Sequence, residues 1–135
     1  MKTVQTQTTG KRKRATARAT LMAGTGIIRI NKISIDNYEP RYYRMKIMEP
    51  LMLASDLIDK VDISVTVKGG GIASQSEAVR LAIAKSLVEH AKTDKLKEAF
   101  LNYDRNLLVA DVRRKEPAKP NRHGQARAKR QKSYR

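Results

Sequence analysis

The chemistry that this sequence offers is dominated by lysine and arginine side chains, which are concentrated at its two ends. The chain has 135 residues, with 29 Lys and Arg against 13 Asp and Glu, and a formal net charge of +16. Residues 1–20 hold six of the 29 basic residues and no acid, and residues 113–135 hold ten with Glu116 as the single acid. Residues 21–112 keep the other 13 basic and 12 acidic residues and are almost neutral. A neutral core with two cationic ends is typical of a protein that binds a polyanion.

The guanidinium and ammonium groups of these ends predict contacts to the phosphates of a nucleic acid. A run of charge is often only a solvated surface. Here nearly all of the surplus charge lies in segments too polar to fold alone, which favours the nucleic-acid interpretation. The predicted phosphate-binding residues are Lys11, Arg12, Lys13, Arg14 and Arg18 near the start, and Arg113, Arg114, Lys115, Lys119, Arg122, Arg127, Lys129 and Arg130 near the end.

Three consecutive glycines, Gly69, Gly70 and Gly71, form the second notable feature. Backbone amides without side chains, placed at the positive end of a helix, are suited to bind an anion. The alternative is that the glycines only form a tight turn between a strand and a helix. The residues alone leave both interpretations open. Ser74 and Glu77 match a capping box, which predicts a helix start near Ser74.

No other group of residues predicts catalysis, a metal site or a cofactor. Cysteine is absent, and the two histidines, His90 and His123, have no evident partners for metal or acid–base chemistry. Two alternatives from other classes are a DNA-compacting protein and a phosphate-handling enzyme built on the glycine turn. The enzyme is disfavoured because no general base accompanies that turn.

The middle of the sequence contains the patterns of both strands and helices. Alternation predicts strands at 15–22, at 27–35 with a bend near Asn31–Lys32, at 61–67 and, as a short last strand, at 107–109. Helical spacing predicts helices over 40–57 with a kink or break at Pro50, from 74 to 91, and after Thr93. We predict a disordered basic arm at 1–13, an α/β core domain at 14–112 and an extended basic tail at 113–135.

The sequence also indicates where the protein resides. Its start lacks the apolar run of a secretory signal, and no stretch approaches the roughly 18 apolar residues needed to span a membrane. The absence of cysteine fits a reducing compartment. We therefore expect a soluble, intracellular protein without a membrane partner.

Three stretches of the sequence match one known family. The first is Gly69–Gln75, followed by small, basic and apolar residues at Ala78, Ala82, Ala84, Lys85, Ser86 and Leu87. The second is Lys11–Arg18, and the third is the ending Gln131–Arg135. On these residues the sequence resembles the universal small-subunit ribosomal protein nine, in its archaeal and eukaryotic branch. The resemblance covers nearly all of the chain beyond the first ten residues.

The resemblance implies an α+β two-layer sandwich like the second domain of ribosomal protein five, with a left-handed βαβ crossover and extended basic ends. It implies a structural, non-enzymatic role in translation within the cytoplasmic small ribosomal subunit, without a cofactor or metal. The expected partners are the small-subunit rRNA of the subunit head, neighbouring head proteins and peptidyl-site tRNA. The phosphate-binding residues above, with Gly69, Gly70 and Gly71, are then expected rRNA contacts.

The resemblance also implies a role for the tip of the tail. Arg135, Lys132 and Tyr134 are expected to approach the peptidyl-site tRNA. The bacterial branch has a lysine where this chain has Tyr134. We therefore expect that residue to act by stacking or by a hydroxyl hydrogen bond instead of by charge.

Overall fold

The chain folds around one mixed β-sheet whose buried face is covered by helices. The computed structural model describes residues 4–127, which include five strands, four α-helices and two 3-10 helices. The strands are β1 Thr6–Arg12, β2 Ala15–Ala23, β3 Ile28–Ile30, β4 Ile33–Ser34 and β5 Val61–Lys68. The α-helices are α1 Arg41–Leu53, α2 Ser55–Ile58, α3 Ile72–Ala91 and α4 Asp94–Tyr103, and the 3-10 helices are Ile35–Asn37 and Arg105–Leu107. The predicted mixed α+β class is confirmed.

The strands lie in the order β1-β2-β5-β3-β4. Strand β2 lies between β1 and β5 and is antiparallel to both, whereas β3 and β5 are parallel. Strand β4 is antiparallel to β3 at the edge. The chain passes from β3 to its parallel partner β5 through α1 and α2, because parallel strands need a long crossover connection.

The hydrophobic core lies between the sheet and helix α3. Every second residue of β2 from Ala15 to Leu21 is buried, and β5 repeats the pattern from Val61 to Val67. The alanines of β2 are small, so α3 can lie close to the sheet. Phe100 of α4 is fully buried at the edge of this core. The alternation predicted for these two strands is confirmed.

The bend predicted near Asn31–Lys32 separates β3 from β4. Both residues have positive φ values, 48° for Asn31 and 70° for Lys32. The side-chain oxygen of Asn31 accepts a hydrogen bond from the Val67 N–H at 2.9 Å, and its amide donates to the Val67 carbonyl at 3.3 Å. The asparagine side chain thus continues the pairing with β5 where the strand itself stops.

The segment 1–13 was predicted to be disordered, and this is wrong for Thr6–Arg12, which form β1. Thr8 is buried, and its hydroxyl donates to the Ala82 carbonyl of α3 at 2.7 Å. Gly10 is also buried; a Cβ there would lie 2.2 Å from the Ala78 carbonyl oxygen. The inward residues of β1 are therefore a threonine and a glycine, which no hydrophobic pattern marks.

The predicted capping box at Ser74 and Glu77 is also wrong. Helix α3 begins at Ile72, with Gly71 at the N-cap and no side-chain cap. Gly69 and Gly70 have φ values of 78° and 67°, so the turn is complete before Ser74 is reached. The carboxylate of Glu77 is bound elsewhere, by a partner on β1.

Two further differences concern the ends of elements. The short strand predicted at 107–109 is absent from the described residues; the 3-10 helix Arg105–Leu107 takes its place, and the Asp104 carboxylate accepts a hydrogen bond from the Asn106 N–H at 2.9 Å. Helix α1 continues through Pro50 to Leu53, and a separate short helix, Ser55–Ile58, follows. The break therefore lies at Ala54 and not at Pro50, where it was predicted.

Candidate nucleic-acid interface

A groove with a volume of about 970 Å³ lies where the β1–β2 turn, the glycine turn and the first residues of the tail meet. We call it the basic groove. Its cationic lining residues are Arg12, Lys13, Arg14, Arg113, Arg114 and Lys115, against one acid, Glu116. Gly70, Gly71 and Ser74 complete the wall at the start of α3, with Pro117 and Ala118. The structure thus brings together three features that are far apart in the sequence.

The glycines of this wall have different roles. A Cβ at Gly69 would lie 2.5 Å from the Arg14 carbonyl oxygen, and one at Gly70 would lie 3.1 Å from the Ala15 amide nitrogen. These two glycines therefore allow the β1–β2 turn to approach closely. Gly71 has no other atom within 4 Å of such a Cβ, and it leaves the start of α3 open beside the groove. The tight-turn interpretation fits Gly69 and Gly70. For Gly71 the interpretation as an anion-binding position stays possible, because the start of α3 is open there.

Arg12 is mostly occupied inside the protein. Its Nε donates to the Glu77 carboxylate at 2.6 Å, and its Nη1 lies 2.7 Å from the Asp111 carboxylate. Only 15% of the side chain is exposed. The charge of Arg12 is therefore matched by two acids. The groove offers its positive charge chiefly through the other five cations, of which Arg113 is itself paired with Asp111.

Asp111 holds the point at which the tail leaves the domain. Its carboxylate accepts hydrogen bonds from the Arg113 side chain, at 2.7 Å from Nη2, and from the Arg113 N–H at 3.0 Å. These bonds, aided by the charge of Arg12, hold the pKa of Asp111 well below its usual range. The same contact raises the pKa of Arg113. Asp111 thus binds cations from both ends of the chain.

A second set of ion pairs lies beside the basic groove, around a cavity of about 290 Å³. Arg80 of α3 pairs with Glu49 of α1 and, at 3.1 Å, with Asp104 after α4. Lys46 lies 3.8 Å from Glu77. Glu49, Asp104 and Glu77 each have a cationic partner on another element of the fold. This is a structural arrangement and does not resemble an acid–base pair.

Beyond Lys115 the described tail makes contacts mainly with itself. Glu116 pairs with Lys119 at 3.5 Å and with Arg127 at 3.0 Å, and Arg122 donates to the Ala126 carbonyl at 3.1 Å. These cations remain exposed. The predicted site residues Lys129, Arg130, Lys132, Tyr134 and Arg135 lie outside the described residues.

Two of the predicted phosphate-binding residues that lie outside the groove belong to the β-sheet. Lys11 and Arg18 are exposed on the face of the sheet opposite to the helices. Arg29 and Lys68 are exposed on the same face, and sequence reasoning missed them. The signal that could have found them is their place at the outward positions of alternating strands.

The comparisons with known proteins identify the family. The family model described as "Ribosomal protein S9/S16" matches residues 10–135. This chain belongs to that family. The match runs from β1 through the core to the end of the tail, so it includes both the basic groove and the residues beyond it.

Relatives from this ribosomal protein family are similar to the chain over almost their whole length. A protein of Methanococcus maripaludis (strain C7) is 53% identical over 129 residues, which cover 95% of this chain and 96% of that protein. A protein of Methanococcus vannielii is 51% identical over the same shares. Both are named "Small ribosomal subunit protein uS9". The resemblance found in the sequence is therefore confirmed.

Membership of the S9/S16 family decides the general role. The chain is a structural, non-enzymatic protein of the small subunit of cytoplasmic ribosomes. Within residues 4–127 no cluster of histidine, cysteine or acidic residues has the arrangement of a metal site. Among the same residues, no helix is long and apolar enough to cross a membrane.

Proposed function

We propose that the chain binds small-subunit rRNA in the subunit head through the basic groove and the tail that begins there, and that the tip of the tail reaches the peptidyl-site tRNA. The observation that carries the rRNA part is the convergence of Lys13, Arg14, Arg113, Arg114 and Lys115 around the open start of α3. The five cations come from both ends of the chain, and Arg113 is 79% exposed. Such a site suits a phosphate backbone.

The contacts of the groove position the protein and do not read a sequence. Lysine and arginine that meet phosphates carry no base information. Among the described residues, the groove lining contains no aromatic side chain on which a base could stack. Specificity for one place on the rRNA then comes from shape, through the fixed arrangement of the turn, the helix start and the tail. Neighbouring head proteins are proposed partners of the same assembly.

The tRNA part of the proposal rests on the length and anchoring of the tail together with the family resemblance. Asp111 fixes the start of the tail, and 24 residues follow it. An extended chain of that length spans at most roughly 80 Å, which is enough to reach well beyond the domain. Arg135, Lys132 and Tyr134 would make the contacts at the tip.

The proposal also includes the fold that the resemblance implies. We assign the domain to the fold of the second domain of ribosomal protein five, with a left-handed β3–α1–β5 crossover. The parallel pairing of β3 with β5 and the helical connection between them support a βαβ crossover, and its left hand is what the resemblance implies. An experimental structure with a right-handed connection would contradict it.

The rRNA part is tested by measuring binding of the whole protein to transcribed small-subunit rRNA. The variant R113Q/R114Q/K115Q removes three groove cations. We expect its affinity at about 100 mM salt to fall on the order of tenfold or more, with a shallower dependence on salt. The control K92Q/K95Q/K97Q removes three exposed cations from the helical side and should bind like the unchanged protein. Equal affinity of the two variants would contradict a role for the groove.

The tRNA part needs its own measurement. Deletion of Arg135 is expected to weaken retention of peptidyl-site tRNA by reconstituted small subunits, because one phosphate-binding charge is lost from the tip. Subunit assembly is expected to proceed, because the basic groove is unchanged. Unaltered tRNA retention in correctly assembled subunits would overturn this part alone.

A further inference from the structure

The face of the sheet turned away from the helices is uncovered in the part of the chain that the structure describes. The outward residues of β1 are Gln7, Thr9 and Lys11, those of β2 are Thr16, Arg18, Thr20 and Met22, and those of β5 are Asp62, Ser64, Thr66 and Lys68. Arg29 of β3 lies on the same side. We call this surface the open sheet face. Its side chains are cations and hydroxyl groups, with one amide, one methionine and one acid.

The pairing register arranges the four cations across the sheet. Lys11 pairs with Thr16, which pairs with Lys68, so the two lysines lie at the ends of one row of three strands. Neighbouring strands are about 4.8 Å apart, and these lysines are therefore separated by roughly 10 Å at the backbone. Arg18 lies on the middle strand one row away. Arg29 is opposite Ser64 in the following row. The positive charge thus crosses the face as a broad band.

The single acid of this face does not cancel that charge. Asp62 lies at the far end of β5 from Lys68, and its carboxylate is directed into the neighbouring turn. Its Oδ1 accepts hydrogen bonds from the Thr25 N–H at 2.8 Å and from the Ile27 N–H at 2.9 Å. Within the described residues no ion pair is made by Lys11, Arg18, Arg29 or Lys68.

The chemistry of the open sheet face distinguishes among nucleic-acid partners. Sheets that bind unpaired bases do so by stacking them on exposed aromatic side chains, and this face has none. Cations and hydroxyl groups contact phosphates and ribose hydroxyls instead. A broad sheet cannot enter the deep, narrow major groove of an RNA helix, but it can lie against the wide, shallow minor groove.

We propose that the open sheet face is a second RNA-binding surface, which lies on the sugar-phosphate backbone of a double-stranded rRNA segment. This inference rests on the proposed function, because it takes the polyanion to be rRNA. It adds a surface on the other side of the sheet from α3. Strand β1 links the two surfaces, since Lys11 lies on the open sheet face and the next residue, Arg12, lies at the basic groove. The protein would then be held between two separate parts of the rRNA.

The test uses the whole protein and transcribed small-subunit rRNA. The variant R18Q/R29Q/K68Q removes three cations of the face at exposed positions and keeps the groove intact. We expect its affinity at about 100 mM salt to fall roughly 10- to 100-fold and its salt slope to decrease by about 2 to 3. The variant K92Q/K95Q/K97Q is the control of equal charge. The variant R18K/R29K/K68R keeps the charges and should bind like the unchanged protein.

Three results would overturn the proposal in different ways. If R18Q/R29Q/K68Q binds rRNA as tightly as the control, the face does not bind RNA and is left for a protein neighbour. If hydroxyl-radical protections lost in this variant fall on unpaired nucleotides, the partner is not double-stranded. If the unchanged protein itself does not bind rRNA, the proposed function fails together with this inference. Circular dichroism and thermal melting of each variant establish that it is folded.

Discussion

The two basic ends of this chain have similar compositions but are held in different ways. The first end forms β1, which pairs along its whole length with β2 and packs against α3 through Thr8 and Gly10. The tail is fixed at Asp111, and from Glu116 to Arg127 its described side chains contact mainly one another. High charge alone therefore does not prevent a segment from folding. In β1 the small residues Thr8 and Gly10 face α3, Lys11 faces outward into water, and Arg12 is paired with acids.

The largest loss of stability is expected when the space that β1 needs beside α3 is filled. In Gly10→Val the new Cβ would meet the Ala78 carbonyl oxygen at 2.2 Å, a backbone atom that cannot move without disturbing α3. We expect the free energy of unfolding to fall by about 3 kcal/mol or more. Urea unfolding followed by circular dichroism measures this change.

Gly71→Ala is the matched control for that substitution. Its Cβ would meet nothing within 4 Å, and the φ value of −99° suits any residue. The expected cost is about 1 kcal/mol or less, from the change at the N-cap alone. A similar loss of stability in both variants would show that β1 does not depend on close approach to α3.

A smaller effect is expected where the two ends meet. Asp111→Asn removes the negative charge that Arg12 and Arg113 share. Because the pKa of Asp111 is lowered in the folded protein, its contribution to stability is present above the unfolded value of about 3.9 and is lost as the pH falls below it. The variant should therefore melt at a lower temperature than the unchanged protein at pH 7.

The pH dependence provides the control for this prediction. The melting temperatures of the two proteins should approach each other as the pH falls below about 4. There the Asp111 carboxyl becomes protonated in the unfolded chain, while it stays charged to lower pH in the folded protein. Hydrogen exchange at residues 112–115 should be faster in the variant at pH 7. A constant difference in melting temperature across the whole pH range would contradict an electrostatic role for Asp111.

The smallest effect is expected within the tail. Glu116→Gln removes the partner of Lys119 and Arg127, in pairs whose side chains are 43% exposed or more. Exposed pairs contribute little, so the stability should change by less than about 0.5 kcal/mol. Affinity for rRNA should rise slightly, because the described lining of the basic groove then contains no acid. A drop in affinity would indicate that this acid orients the tail for binding.

The sequence predicted the elements that follow hydrophobic periodicity and missed those that depend on contacts between distant residues. The strands β2 and β5 and the bend at Asn31 were found because their patterns are local. Strand β1 was missed because Thr8 and Gly10 have no apolar signature. The capping box failed because Glu77 is bound to Arg12, 65 residues away, and no local rule contains that partner.

The candidate site was predicted in the same uneven way. Composition predicted that the cations of the groove bind phosphates, because they lie in charge-rich segments. It could not show that Lys13 and Arg114 line one groove, since the pairing of β1 with β2 and the anchoring of the tail bring them together. Arg29 and Lys68 were missed because they occur in a nearly neutral part of the sequence, and only the strand register places them on one face.

The contacts of β1 also determine the order in which the chain can fold during its synthesis. The partners that complete this strand are Ala82, Glu77 and Asp111, and Arg12 and Asp111 are 99 positions apart. During synthesis the first strand therefore leaves the translating ribosome long before they exist, and it can pair only with β2. A domain that depends on such distant contacts closes late and folds more slowly than one built from local contacts. Until Glu77 and Asp111 emerge, Arg12 of the nascent chain lacks both of its acidic partners.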